Sequence, residues 1–172
     1  MEKSYCFDQR IIERYHEITS ILIRQHLTVT TMESCTGGLI GALLSDQEGA
    51  SGVIPGGFFT YSNESKFMYG VPPEIVRSYG VYSTATASAM ASACRENYAT
   101  DIGIGITGSI GTVDPNNPES VPGHVYIAVD YKNVTTGHKL ILDTPADTPY
   151  FRWNSRFQIA DAVAEQLMIL LN

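Results

Sequence analysis

Apolar residues recur along this chain with two periods. Ile11, Ile12, Tyr15, Ile18, Leu22 and Ile23, with Thr19 on the same stripe, fall at i, i+3, i+4 and i+7 spacing. That is one face of an amphipathic helix, and Asp8 stands where its N-cap belongs. Residues 27–32, LTVTTM, are β-branched and short, and predict a buried strand. GGLIGALLSD (37–46) predicts a helix that ends in a turn at EGAS, and GGFFTYS (56–62) a second strand. NESKFMYG (63–70) predicts a short helix capped by Asn63, and VPPEIVRSYG (71–80) another, stopped by Gly80. Ser83 is placed to cap a long helix, TATASAMASACRENYA, whose many small residues predict close packing. DIGIGIT (101–107) is the third strand, its glycines marking close backbone approach. A Gly-, Pro- and Asn-rich loop (108–123) follows. HVYIAVDY (124–131) and HKLILDT (138–144) predict a hairpin turning through KNVTTG. Phe157, Ala160, Val163, Ala164, Leu167 and Leu171 mark a last helix.

Strands separated by helices require crossovers, hence a partly parallel sheet, and the hairpin adds an antiparallel part. The expectation is an α/β fold: a three-layer α/β/α sandwich around a mixed, partly parallel sheet of about five strands. A length of 172 residues suits one domain, taken here as 1–172.

Charge and composition narrow the function. The formal net charge is −7, with no cluster of Lys or Arg. Duplex DNA and anionic membranes are therefore poor partners, and any phosphate must be held locally. No apolar run is long enough to span a bilayer, and MEKSYCFDQR lacks the apolar core of a signal peptide, so the expected location is cytoplasmic. Cys6, Cys35 and Cys94 are odd in number and lack metal-type spacing, which argues against a disulfide framework or a structural zinc site.

The densest candidate chemistry is TTMESCTGGLIG, residues 30–41. Ser34 falls at the carboxyl end of the first strand, where ligands gather in open α/β sheets. Gly37 and Gly38 admit a ligand close to the backbone, and N–H groups at a helix start can hold a phosphate or an oxyanion. Simple capping by Ser34 and Thr36 explains the same residues. The stretch is neither a Walker A loop nor a nucleophile elbow, because no lysine follows the glycines and Met32 stands where the elbow needs glycine. None of the four histidines sits in a convincing site. Lys66, at the third helical position if Asn63 is the cap, can reach back over the end of the second strand. If the first two strands are neighbours, it meets Ser34. A lysine base needs a lowered pKa; Tyr61 and Ser62 stand close enough in sequence to orient it. Against this stand an ordinary solvated Lys66 and a core-packing Tyr61. Gly108 and Gly111 either present N–H groups to an anion or merely turn the chain. Arg152, at the start of the last helix, opposes the dipole there, and either meets a substrate anion or pairs with Asp147.

Taken together, these segments resemble the C-terminal domain of the competence/damage-inducible protein CinA, a family that includes nicotinamide mononucleotide deamidases. TTMESCTGGLIGALLSDQEGAS is similar to the family's T-x-A-E-S-C-T-G-G stretch, GGFFTYSNESK to G-x-x-x-Y-S-N-E-x-K, and GVPPEIVRSYGVYS to G-V-x-x-x-x-L-x-x-x-G-A-V-S. The similarity runs from the first helix to the last. It implies a compact, usually oligomeric α/β/α domain that hydrolyses the carboxamide of nicotinamide mononucleotide to nicotinic acid mononucleotide and ammonia, with no metal or cofactor. It implies Ser34 as nucleophile, with Lys66 and Tyr61 as its proton-transfer partners. Cys35, Thr36, Gly37, Gly38, Ser62, Asn63, Gly108, Gly111 and Arg152 would then lie around the substrate, the N–H groups from Cys35 to Gly38 holding the oxyanion. Cys35 reads as a neighbour rather than the nucleophile.

Two departures stand out. The family's loop pattern T-G-I-A-G-P-x-G-G, then K-P-V-G, is TGSIGTVDPNNPESVPG here, with Ser120 at the lysine's place. The family's G-D-R appears as ADT, so Thr148 replaces its arginine while Arg152 matches the second one. Each lost charge-assisted contact is worth about 1.5–3 kcal/mol. The catalytic pattern is kept and the anion-binding pattern thinned, which leaves a non-catalytic nucleotide-binding or regulatory domain as the alternative. The pattern of the family's molybdopterin-binding-like domain is missing, so the expected form is the stand-alone one.

Overall fold

The computed structural model describes residues 9–172. The proposed cap Asp8 and Cys6 lie outside them. In chain order the elements are α1 (Gln9–Gln25), β1 (Val29–Glu33), α2 (Leu39–Ser45), a 3-10 turn (Ala50–Gly52), β2 (Gly57–Phe59), α3 (Asn63–Met68), α4 (Pro73–Tyr79), α5 (Thr84–Tyr98), β3 (Ile102–Gly108), β4 (His124–Tyr131), β5 (Val134–Ile141) and α6 (Phe151–Leu171). This is the expected succession, with one extra short turn.

The five strands form one sheet in the order β2-β1-β3-β4-β5. β1 is parallel to both β2 and β3, and β3-β4 and β4-β5 are antiparallel. Helices cover both faces, as the α/β/α expectation required. On one side the stripe of α1 (Tyr15, Ile18, Leu22) packs with α2 and with α6 through Ile159, Val163 and Leu167. On the other side α5 lies on β1 and β3, where Met90 and Cys94 meet Met32. The glycines of β3 explain that approach. A Cβ on Gly103 would stand 2.1 Å from the Ala91 carbonyl oxygen, and one on Gly105 equally close to that of Ala87. Small residues on both surfaces thus let helix and strand backbones nearly touch.

Three local expectations are corrected. The hairpin turns through two residues, Lys132 and Asn133, both with positive φ, and β5 starts at Val134 rather than His138. Such a primed turn matches the twist of its strands, so no longer loop is needed. β2 is paired over three residues only. The cap of α3 is Ser62, whose hydroxyl accepts from the Ser65 N–H, so Asn63 is the first helical residue and Lys66 the fourth.

Among the described residues no helix is long and apolar enough to cross a membrane.

Candidate active site

The parallel strands β1, β2 and β3 end on the same edge of the sheet, and the chain leaves each as a turn or loop. A cavity of about 330 Å³ opens there. It takes Ser34 and Cys35 from the turn after β1, Tyr61 and Ser62 from the turn after β2, Tyr82 from the segment before α5, residues 108–116 in part from the loop after β3, and Arg152 from α6. Contiguous with it is a more polar cavity reached from the Lys66 side, which shares Tyr61, Ser62, Tyr82, Asp114 and Asn116 and adds Asn63.

Ser34 and Lys66, thirty-two positions apart, meet at the base of the cleft. Lys66 is only 1% exposed and Ser34 5%. The lysine Nζ lies 3.5 Å from Ser34 Oγ, 2.9 Å from the Thr60 carbonyl oxygen and 3.4 Å from that of Ser62. β2 places those carbonyls. The Thr60 N–H donates to the Glu33 carbonyl, continuing the β1–β2 pairing, so the end of β2 is fixed beside Ser34. Burial disfavours the ammonium form and brings Lys66 from its ordinary 10.5 to about 8; Asp114 and Glu64 act in the opposite sense. In its neutral form the amine can give its two N–H groups to the two carbonyls and turn its lone pair to the Ser34 hydroxyl.

The turn carrying Ser34 is shaped by a residue the sequence reading passed over. Glu33, 1% exposed, points its carboxylate under the start of α2. It accepts from the N–H groups of Gly38, Ile40 and Gly41 and from the hydroxyls of Thr31 and Thr36. An acid at a helix start was the available signal, since it suits both dipole and free donors. The consequence is a correction. The Gly38 N–H is taken by Glu33, and the Gly37 N–H donates to the Ser34 carbonyl, so neither is free for an oxyanion. Among the described residues, the N–H groups of Cys35 and Thr36 are the ones in this turn that reach no backbone or carboxylate oxygen, and Cys35 lines the cavity. The Thr36 side chain serves Glu33. Gly37 (φ 68) and Gly38 (φ 91) allow the left-handed turn that swings the chain under Ser34.

Arg156, also unnoticed in the sequence, closes the turn from outside. Its Nε donates to the Cys35 carbonyl, and its guanidinium lies where a Cβ on Gly37 would approach within 3.2 Å. Arg152, one helical turn earlier, is exposed and lines the cavity instead. Burial pushes the Cys35 thiol up to about 12, so it is not a thiolate at neutral pH. Tyr61 is 61% exposed at the cavity mouth, its ring against Phe59, and its hydroxyl bonds neither Ser34 nor Lys66. Gly108 and Gly111 line the cavity as well, and Gly111 is packed against the Phe151 ring.

The loop after β3 is held by Asp114. Its carboxylate accepts from the Tyr82 hydroxyl at 2.6 Å, from Asn117 Nδ2 at 2.6 Å and from the Asn116 N–H at 2.9 Å; its own N–H donates to Ser120 Oγ. Thr107 donates to the Val81 carbonyl, tying the end of β3 to the segment that carries Tyr82. Tyr82 and Asp114 were absent from the sequence-level candidates, because nothing local marks a tyrosine and an aspartate thirty-two positions apart as partners. Among the described residues no three His, Cys, Asp or Glu side chains gather closely enough to hold a metal ion.

Fold and cleft together define an α/β/α domain with a buried serine–lysine pair at the carboxyl ends of parallel strands. The profile of the CinA C-terminal domain matches residues 12–149, and the chain belongs to that family. It is 37% identical over 142 residues to a CinA-like protein of Gemmatimonas aurantiaca, covering 82% of this chain and 32% of that one. It is 39% identical over 125 residues to a CinA-like protein of Synechocystis, covering 72% and 30%. The chain thus spans about a third of the length of these curated relatives. Among solved structures, the competence/damage inducible protein CihA of Agrobacterium tumefaciens superposes with a TM-score of 0.81 at 29% identity, covering 94% of this chain and 96% of that one.

Proposed function

We propose that this domain is a serine amidohydrolase acting on the carboxamide of nicotinamide mononucleotide or a close relative. The observation that carries this reading is the buried Ser34–Lys66 contact, with the amine's pKa lowered toward neutrality. Neutral Lys66 takes the Ser34 proton as Oγ attacks the amide carbon. The oxyanion forms beside the N–H groups of Cys35 and Thr36. The lysine ammonium then protonates the departing nitrogen, and ammonia leaves an ester on Ser34. Water, deprotonated in turn by Lys66, attacks the ester carbonyl, and the Lys66 ammonium returns that proton to Ser34 Oγ as the C–O bond breaks and the carboxylic acid leaves. Tyr61, at the mouth, contacts substrate or relays protons. Arg152 and the backbone of the 108–112 loop are the groups available to a phosphate.

A non-catalytic nucleotide-binding domain is favoured by two missing cations, one of them the arginine whose place Thr148 takes. Ser120, at the family's lysine position, is engaged in folding its own loop, so that cationic contact is missing. Incubation with nicotinamide mononucleotide, with ammonia and the product acid measured, decides between the two. Stoichiometric release of both is expected. Tight calorimetric binding without turnover would favour the alternative, and no ammonia from any pyridine nucleotide or simple amide would remove the amidase.

A further inference from the structure

We propose that Asp114, which lines the cleft together with Tyr61 and Tyr82, is a specificity determinant that makes this cleft select a positively charged, N-substituted pyridinium carboxamide over a neutral amide of similar shape. This rests on reading the Ser34 cavity as an amidase site for nicotinamide mononucleotide, and it assigns a protein partner to the charge that its pyridinium ring carries.

Among the described residues, Asp114 is the one acidic side chain lining the Ser34 cavity, and it lines the adjoining Lys66-side cavity too, there together with Glu64. The groups bonded to its carboxylate, a phenol, an amide and a backbone N–H, are all neutral. They fix its position without cancelling its charge. No Lys, Arg or His among the described residues forms an ion pair with it. The Tyr82 and Asn117 hydrogen bonds hold its carboxyl below the usual carboxylate range, so it is ionised at neutral pH. Oδ1 accepts one hydrogen bond and keeps room for a ligand.

Two tyrosines lining the same cavity as a fixed anion suit a flat, delocalised cation, which gains charge attraction and aromatic contact together. A neutral ring gains only the packing. The same charge bears on the base: Asp114 favours the ammonium form of Lys66, and a bound cation opposes that, moving Lys66 toward the neutral form that accepts a proton. Nothing here depends on the phosphate, for which Arg152 is a separate contact.

Binding separates this proposal from the amidase reading. In Ser34→Ala, calorimetry with 1-methylnicotinamide and nicotinamide is expected to give about tenfold or more tighter binding of the cation. Adding Asp114→Asn should bring the ratio to within about twofold, whereas adding Tyr82→Phe, which keeps the carboxylate, should retain it. Equal binding of the two ligands in Ser34→Ala, or a ratio untouched by Asp114→Asn, overturns the proposal. If the aspartate variant does not fold, the salt dependence of the ratio in Ser34→Ala decides: it should shrink as salt is raised, and a constant ratio overturns the proposal. Charge-selective binding without ammonia release by the wild type would sink the amidase reading while leaving the Asp114-dependent charge selectivity of the cleft intact.

Discussion

At the scale of single residues, the site turns on what burial does to two neighbouring groups. Lys66 is lowered to about 8 while Cys35 is raised to about 12, so the amine becomes a usable base and the thiol a poor nucleophile. Lys66→Met keeps the apolar stem and removes the amine. It should lower kcat/KM for amide hydrolysis by about 10²- to 10⁴-fold. Cys35→Ala should stay within a few-fold of wild type, and a large loss there would transfer the nucleophile's role to sulfur. Because the base must be neutral, kcat/KM should rise with pH and level off above about 8. A profile flat from pH 6 to 9 would contradict this. Sequence alone offered Ser34 and Lys66 as partners only on the condition that their strands were adjacent. Glu33 and Arg156 stayed hidden because their meaning lies in the partners they reach: three N–H groups under α2, and a carbonyl 121 positions away.

At the scale of elements, hydrophobic pattern together with capping and turn residues was enough to find the helices and the succession of strands along the chain, though not their order in the sheet. It failed where tertiary contact decides. The seven-residue run GGFFTYS pairs over three residues, because beyond Phe59 the chain turns into the site instead of continuing along β1. The hairpin turn is set by two residues with positive φ, neither of them glycine, which removes the usual sequence signal. Two predictions belong here. Glu33→Ala strips the acceptor from three buried or half-buried N–H groups and should cost about 3–5 kcal/mol in denaturant unfolding. A loss under about 1 kcal/mol would mean that water replaces the carboxylate there. Gly105→Ala drives a methyl into the backbone of α5 and should destabilise by about 1–3 kcal/mol or more, although Gly105 does not line the cavity.

At the scale of the whole molecule, the cleft exists because three parallel strands end together and three connections converge on that edge, with α6 closing the side through Arg152 and Arg156. Its lining comes from residues 34 to 152, so no window of sequence contains it; family resemblance, not periodicity, pointed to it beforehand. Global stability should carry the mark of the buried amine. The folded-state pKa of Lys66 lies below its ordinary value, so between about 8 and 10.5 the unfolded chain binds more protons than the folded one. The contribution of Lys66 to stability therefore rises with pH across that window, and below it the penalty of burying the amine is present in full. Lys66→Met should flatten that rise relative to wild type, and an unchanged pH dependence would mean that the amine is solvated. The central claim is that the Ser34 hydroxyl performs the attack on the amide. Its most direct test is the rate of ammonia release from nicotinamide mononucleotide by Ser34→Ala beside the wild type under identical conditions. The account predicts a fall of about a thousandfold or more. A variant that keeps its rate within a factor of about three would contradict it.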